Sequence, residues 1–381
     1  MISRAVFVIA LTLTAVTAAA QNSCGDPFAG VTIRFSPDYW DKTDFCTRSV
    51  DLREIQSGGP PPDGIPPIDD PQFETISAAS QWLAPQSPVV VLQIGETARA
   101  YPLAILIWHE IVNDVIADVP VAVTFCPLCN ASLAFDRRVN GMTLRFGVSG
   151  NLRNSDMIMW DDQTQSWWQQ FTGEAIVGSL TGTHLELLPS WVVSFGEFTA
   201  RFPEGEVLSR DTGFSRSYGS NPYVGYDSTA DPFLFSGAVD PRLPATERVL
   251  AGVIGGEAVA YPFAALSQER VVNDMVGGRE VVALWQPGAA SALDQNAIDE
   301  SRDVGMAALY SRTLEGETLM FSLDEAGALR DDATGSRWNV FGEAVDGEMM
   351  GRRLEAQFAA PHFWFAWAAF RPDTRVYGLD S

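Results

Sequence analysis

Short apolar runs separated by turn residues dominate this chain, and most carry the β-branched and aromatic side chains that favour strands. Val89-Val90-Val91-Leu92-Gln93-Ile94 ends at Gly95 and reads as a buried strand. Ala104–Trp108 predicts a short helix, and Val119–Phe125 a strand that leads into Cys126. Ala131–Asp136 resumes as strand, and Asn140-Gly141 predicts a hairpin turn into Thr143–Phe146. Met157–Trp160 and Ser166–Phe171 predict two further strands. A helix over Ser194–Phe202 follows, with Ser194 as N-cap, Glu197 at the capping-box position and Pro203 as its stop. The apolar stretch Pro361–Phe370, before Pro372, also predicts helix. Residues 24–71 read as an irregular leader, because Gly58-Gly59-Pro60-Pro61-Pro62 excludes helix and central strand.

The pattern occurs twice. Ala98-Arg99-Ala100-Tyr101-Pro102 recurs as Ala258-Val259-Ala260-Tyr261-Pro262, and Val112-Asn113-Asp114 as Val272-Asn273-Asp274. Asp161-Asp162-Gln163-Thr164-Gln165-Ser166-Trp167-Trp168 recurs as Asp331-Asp332-Ala333-Thr334-Gly335-Ser336-Arg337-Trp338, at a longer spacing. We expect an export signal over residues 1–20, a leader over 21–71, a first repeat over 72–210, an inter-repeat segment over 211–247 and a degenerate second repeat over 248–381. The fold class expected is β-dominated α+β: two tandem domains related by a pseudo-twofold, each with a twisted, mainly antiparallel sheet.

Duplication sorts the residues. What both halves keep belongs to the shared fold. What one half keeps is a candidate for chemistry. His109, Cys126, Pro127, Cys129 and Gln169 stand only in the first half, whereas the second has Glu269, no cysteine and Asn339. Asp161 and Asp162 recur, so turn capping explains them better than acid–base work.

The chain of 381 residues, 46% hydrophobic and 11% aromatic, is globular in composition. A formal net charge of −23 opposes nucleic-acid and anionic-lipid partners. Arg4, the apolar run Ala5–Val16 and Ala18-Ala19-Ala20 read as a signal peptide cut after Ala20. That places the mature protein in the periplasm or outside the cell, with no integral membrane segment after cleavage. In that oxidising space Cys24 and Cys46 are expected to form a structural disulfide.

Several motifs together resemble a bacterial and archaeal family known as domain of unknown function 3179. They are Asp63-Gly64-Ile65-Pro66, Arg99-Ala100-Tyr101-Pro102, His109-Glu110-Ile111-Val112-Asn113-Asp114, Val123-Thr124-Phe125-Cys126-Pro127-Leu128-Cys129, Phe135-Asp136-Arg137, Phe146-Gly147-Val148-Ser149-Gly150 and Asp161–Gln169. The resemblance covers roughly Asp63–Ser209 and implies no reaction by itself.

Cys126 and Cys129 admit three readings. As a redox dithiol they would take His109 as the charge that lowers the thiolate pKa, with Cys126 the attacking and Cys129 the resolving thiol. The strand that follows the pair withholds the helix N-terminus used by thioredoxin-like enzymes. As a metal site they would use His109, or a thioether among Met142, Met157 and Met159, and such soft ligands favour copper(I) over a four-cysteine zinc site. As a structural disulfide they would brace a non-catalytic module whose Trp- and Tyr-lined cleft binds an unknown small molecule. No phosphate-cradling glycine loop, nucleophile elbow or HExxH helix occurs, which sets aside nucleotide cofactors and zinc-protease chemistry. An oxidoreductase, with a small molecule, metal ion or redox protein as its partner, is the enzyme class these candidates allow.

Overall fold

A computed structural model describes residues 24–379, and the expected export signal lies outside them. Strands Pro88–Ile94 and Thr97–Pro102 pair antiparallel around Gly95, whose φ of +58° suits a residue without Cβ. Val89, Val90 and Val91 are all buried, so both faces of this sheet are covered. The chain then enters helix Leu103–His109, six of whose seven residues are buried, and leaves it at Glu110 with φ +59°. Strands Ile111–Ile116, Val119–Cys126, Ala131–Asp136 and Glu186–Leu188 form the second sheet. A third sheet joins Phe146–Arg153, Asp156–Asp161, Trp167–Gln169 and Glu174–Val177. Strand Ser190–Ser194 returns to the first sheet before helix Phe195–Arg201, where the Ser194 hydroxyl accepts from the Glu197 backbone N–H as its composition predicts.

The same order of elements appears in the second half. Strands Arg248–Ile254 and Glu257–Pro262, helix Phe263–Glu269, and strands Val271–Val276, Arg279–Gln286 and Met306–Ser311 correspond one for one. The pairing register is the same: Ile111 faces Thr124 as Val271 faces Leu284. The shared residues make the same bonds. Tyr101 donates to Asp114 at 2.5 Å and Tyr261 to Asp274 at 2.8 Å. Asn113 exchanges two hydrogen bonds with the Phe146 backbone, and Asn273 does so with Phe321. Trp168 Nε1 donates to Asp161 at 2.9 Å and Trp338 Nε1 to Asp331 at 3.0 Å. One ion pair is exchanged in sense. Arg99 binds Glu206 on the neighbouring parallel strand, whereas in the second half Glu257 receives Arg375 from the corresponding parallel strand.

The halves pack reciprocally. Strand Ser190–Ser194 lies against Met306–Ser311 of the second half, and Ala359–Phe363 lies against Ala131–Asp136 of the first. Pro361–Phe370, expected as helix throughout, splits: the strand runs to Phe363 and the helix covers Trp364–Phe370. Strand pairing to Arg248–Gly252 captures the first residues, a tertiary preference that apolar content cannot reveal. Asn140-Gly141 does turn a hairpin, with φ +50° and +78°, but it joins only Arg138–Val139 to Met142–Thr143. The leader is irregular apart from short pieces such as strand Ile55–Ser57. Its Phe35, Trp40 and Phe45 pack edge-on against Trp167 at 5.0–5.4 Å. Cys24 and Cys46 form the expected disulfide.

Candidate functional site

Strand Val119–Cys126 ends on the first cysteine, and Ala131, which faces Cys126 across the hairpin, begins the next strand. Pro127-Leu128-Cys129-Asn130 is therefore the tip of a β-hairpin, closed by Asn130 with φ +49° and its N–H on the Pro127 carbonyl at 3.2 Å. The pair does not open a helix, since strand Ala131–Asp136 follows it directly. Both are free thiols, 2% and 0% exposed.

A second hairpin completes the site. Strands Phe146–Arg153 and Asp156–Asp161 turn at Asn154-Ser155, both with positive φ, and a register shift between Val148 and Leu152 bends the first strand. Gly150 sits in that bend with φ +76°, where a Cβ would meet the Pro60 carbonyl oxygen at 2.0 Å. The bent tip carries Asp156 to the cysteines. Its carboxylate and the sulfurs of Cys126 and Cys129 all lie within 4.8 Å of one another, fully enclosed. Asp156 Oδ2 accepts from Gln169 Nε2 at 2.6 Å and from the Phe171 N–H at 2.9 Å. Oδ1 is buried and has no hydrogen-bond partner.

Burial sets the protonation of this cluster. It pushes the Asp156 carboxyl up to about 7, against the hydrogen bond from Gln169. Glu110 is pushed up to about 8, first by burial and then by the nearby Asp156. Burial raises both thiols, Cys129 the more strongly. The inter-repeat segment roofs the site: the Ser155 hydroxyl donates to the Phe233 carbonyl, and Tyr226 is itself raised by burial and then by Cys129.

His109 is engaged elsewhere. Its Nδ1 is 2.7 Å from the Pro66 carbonyl and its Nε2 is 2.7 Å from the Tyr218 hydroxyl, while burial lowers its pKa. The carboxylate brought to the sulfurs is that of Asp156, a residue the motif reading passed over. A signal for it existed. Counting back from the shared Asp161 and Asp331, the position of Asp156 holds Ala326 in the second half, where the hairpin spans only Phe321–Asp331. Glu110 has Arg270 as its counterpart, so both carboxyls belong to the first half alone. Gln169, which that same comparison singled out, donates to Asp156.

Other motif residues serve the architecture. Asp63 accepts from Trp160 Nε1 and from the Val148 N–H, both at 3.0 Å, and pairs with Arg145 at 2.7 Å. Gly147 is required beside it, because a Cβ would stand 2.2 Å from the Asp63 carboxylate. The family model described as Protein of unknown function (DUF3179) matches residues 62–374. The chain belongs to this DUF3179 family. The DUF3179 match extends well beyond the first-half motifs and takes in the second half. No curated protein and no solved structure matches the chain. No helix among the described residues is long and apolar enough to cross a membrane.

Proposed function

We propose that this DUF3179 protein holds a soft metal ion, copper(I), between Cys126 and Cys129 with Asp156 as the third donor, and that it works in redox or metal-transfer chemistry outside the cytoplasm. The observation that carries the reading is the unpartnered Oδ1 of Asp156, buried in the same 4.8 Å cluster as two free thiols. A buried carboxylate oxygen without a donor is costly, and a cation bound between the sulfurs would satisfy it. Two thiolates suit a soft monovalent ion, and binding releases their protons as the metal takes their place.

Thiol–disulfide exchange is the weaker reading. Enclosure and raised thiol pKa values work against a thiolate that must attack a partner's disulfide. The Cys24–Cys46 disulfide suits an oxidising compartment, in keeping with export directed by residues 1–20. In the duplication reading the second half serves as scaffold, with Gln286, Ala289 and Arg270 where the first has Cys126, Cys129 and Glu110.

Anaerobic loading of the full chain with copper(I), followed by gel filtration and elemental analysis, tests the proposal. One equivalent should be retained, none in Cys126→Ser or Cys129→Ser, and competition with bathocuproine disulfonate should show at least tenfold weaker binding in Asp156→Asn. Failure to retain copper, with the Cys126 and Cys129 thiols titrating only after reduction, would establish a structural disulfide and the non-catalytic binding module instead.

A further inference from the structure

Where the two halves pack, a cleft of about 280 Å³ opens between strands of both, among them Ser190–Val192 and Ala307–Leu309. Small side chains make the space: Ala251, Ala307, Ala308 and Ala360 stand on its walls, where larger residues would fill a core. Phe171, Trp191 and Trp367 supply aromatic surface. At the rim Val253 and Phe358 are 43% and 51% exposed, so apolar surface continues outward to solvent. The volume lies near the lower end of ligand pockets, roughly 300 Å³, and suits one ring or a short alkyl chain.

Of the polar residues in the lining, Arg371 and His362 are placed to hold a ligand. Arg371 contributes an exposed guanidinium whose one hydrogen bond, at 3.2 Å, goes to the Phe370 carbonyl, and it has no carboxylate partner among the described residues. In a chain of net charge −23 an uncompensated cation beside an apolar cleft selects an anionic group. Deeper in, the His362 ring lies 4.6 Å from Phe171 and 5.3 Å from Trp367 between ring centroids. Its Nδ1 is buried without a hydrogen-bond partner, and a ligand oxygen or N–H would satisfy it.

The geometry points to a binding site for a small amphiphilic monocarboxylate, its apolar body against Phe171, Trp191 and Trp367 and its carboxylate on Arg371. The site is independent of copper, although the two adjoin: the Phe171 backbone N–H holds Asp156 while its ring walls the cleft.

Octanoate and 1-octanol titrated calorimetrically into the full chain test this, since they differ in the charged group and share the apolar body. Octanoate should saturate at one equivalent and bind at least tenfold more tightly than octanol. Arg371→Gln, at an exposed position, should fold normally and bind both probes with the affinity of octanol. Cys126→Ser should bind octanoate as the parent does, so failure of the copper reading would leave this result intact. Equal affinity for the two probes, preference retained in Arg371→Gln, or no saturable binding of either would overturn the assignment.

Discussion

His362 should make this protein lose stability on mild acidification, and replacing it should remove that loss. The imidazole is buried against Phe171 and Trp367, and burial lowers its pKa from 6.5 to about 3. The unfolded chain takes up a proton there near pH 6.5, whereas the folded chain refuses it until about pH 3. Between those values the unfolded state binds more protons, so stability falls as pH falls. Each pH unit in that window corresponds to about 1.4 kcal/mol, so acidification from about pH 6.5 to 4.5 should cost roughly 2–3 kcal/mol through this group alone. The perturbation is His362→Phe, which keeps a ring among aromatic neighbours and removes both the titration and the unpartnered Nδ1. Urea unfolding of parent and variant across that range isolates the effect, because the carboxylates titrate in both proteins and cancel in the difference. The variant should match or exceed the parent near pH 7 and gain on it steadily below pH 6.5. A parent-to-variant difference that stays flat with pH would refute the reasoning.

Three further outcomes follow from the packing. Gly150→Ala must move the Pro60 carbonyl and adopt a positive φ, so it should cost more than about 2 kcal/mol in chemical denaturation and reduce copper retention by displacing the hairpin that carries Asp156. Trp168→Phe and Trp338→Phe each remove one donor from a buried aspartate, and should each cost roughly 1–3 kcal/mol, with unfolding free energies similar to each other because the two halves use the same bond. Replacing Cys24 and Cys46 together by serine opens a loop of sequence separation 22 and should cost roughly 3 kcal/mol. Trp167 fluorescence should report the leader coming away first, since Phe35, Trp40 and Phe45 pack on that ring.

Local signals were legible wherever they were also decisive. Ser194 caps the helix its neighbours predict, and Asn140-Gly141 turns because both residues tolerate positive φ. The comparison of halves separated Cys126, Cys129 and Gln169 from Tyr101, Asn113 and Trp168, and the latter set makes paired architectural bonds in both halves. The same comparison also singled out His109, whose two nitrogens lie 2.7 Å from the Pro66 carbonyl and the Tyr218 hydroxyl, partners remote in sequence.

The amino-acid sequence by itself determined the strand-rich class, the doubled order of elements and the two cysteines at one hairpin tip, because these rest on periodicity, turn chemistry and covalent spacing. Which carboxylate meets the sulfurs was decided by tertiary structure alone. Asp156 reaches them through a bulge at Gly150 and a turn at Asn154-Ser155, under a roof supplied by the inter-repeat segment, remote in sequence. The cleft likewise exists only where the alanines of the second half oppose Leu133, Phe171 and Trp191 of the first. Burial then sets the chemistry, for a carboxyl titrating near 7 is a property of its surroundings.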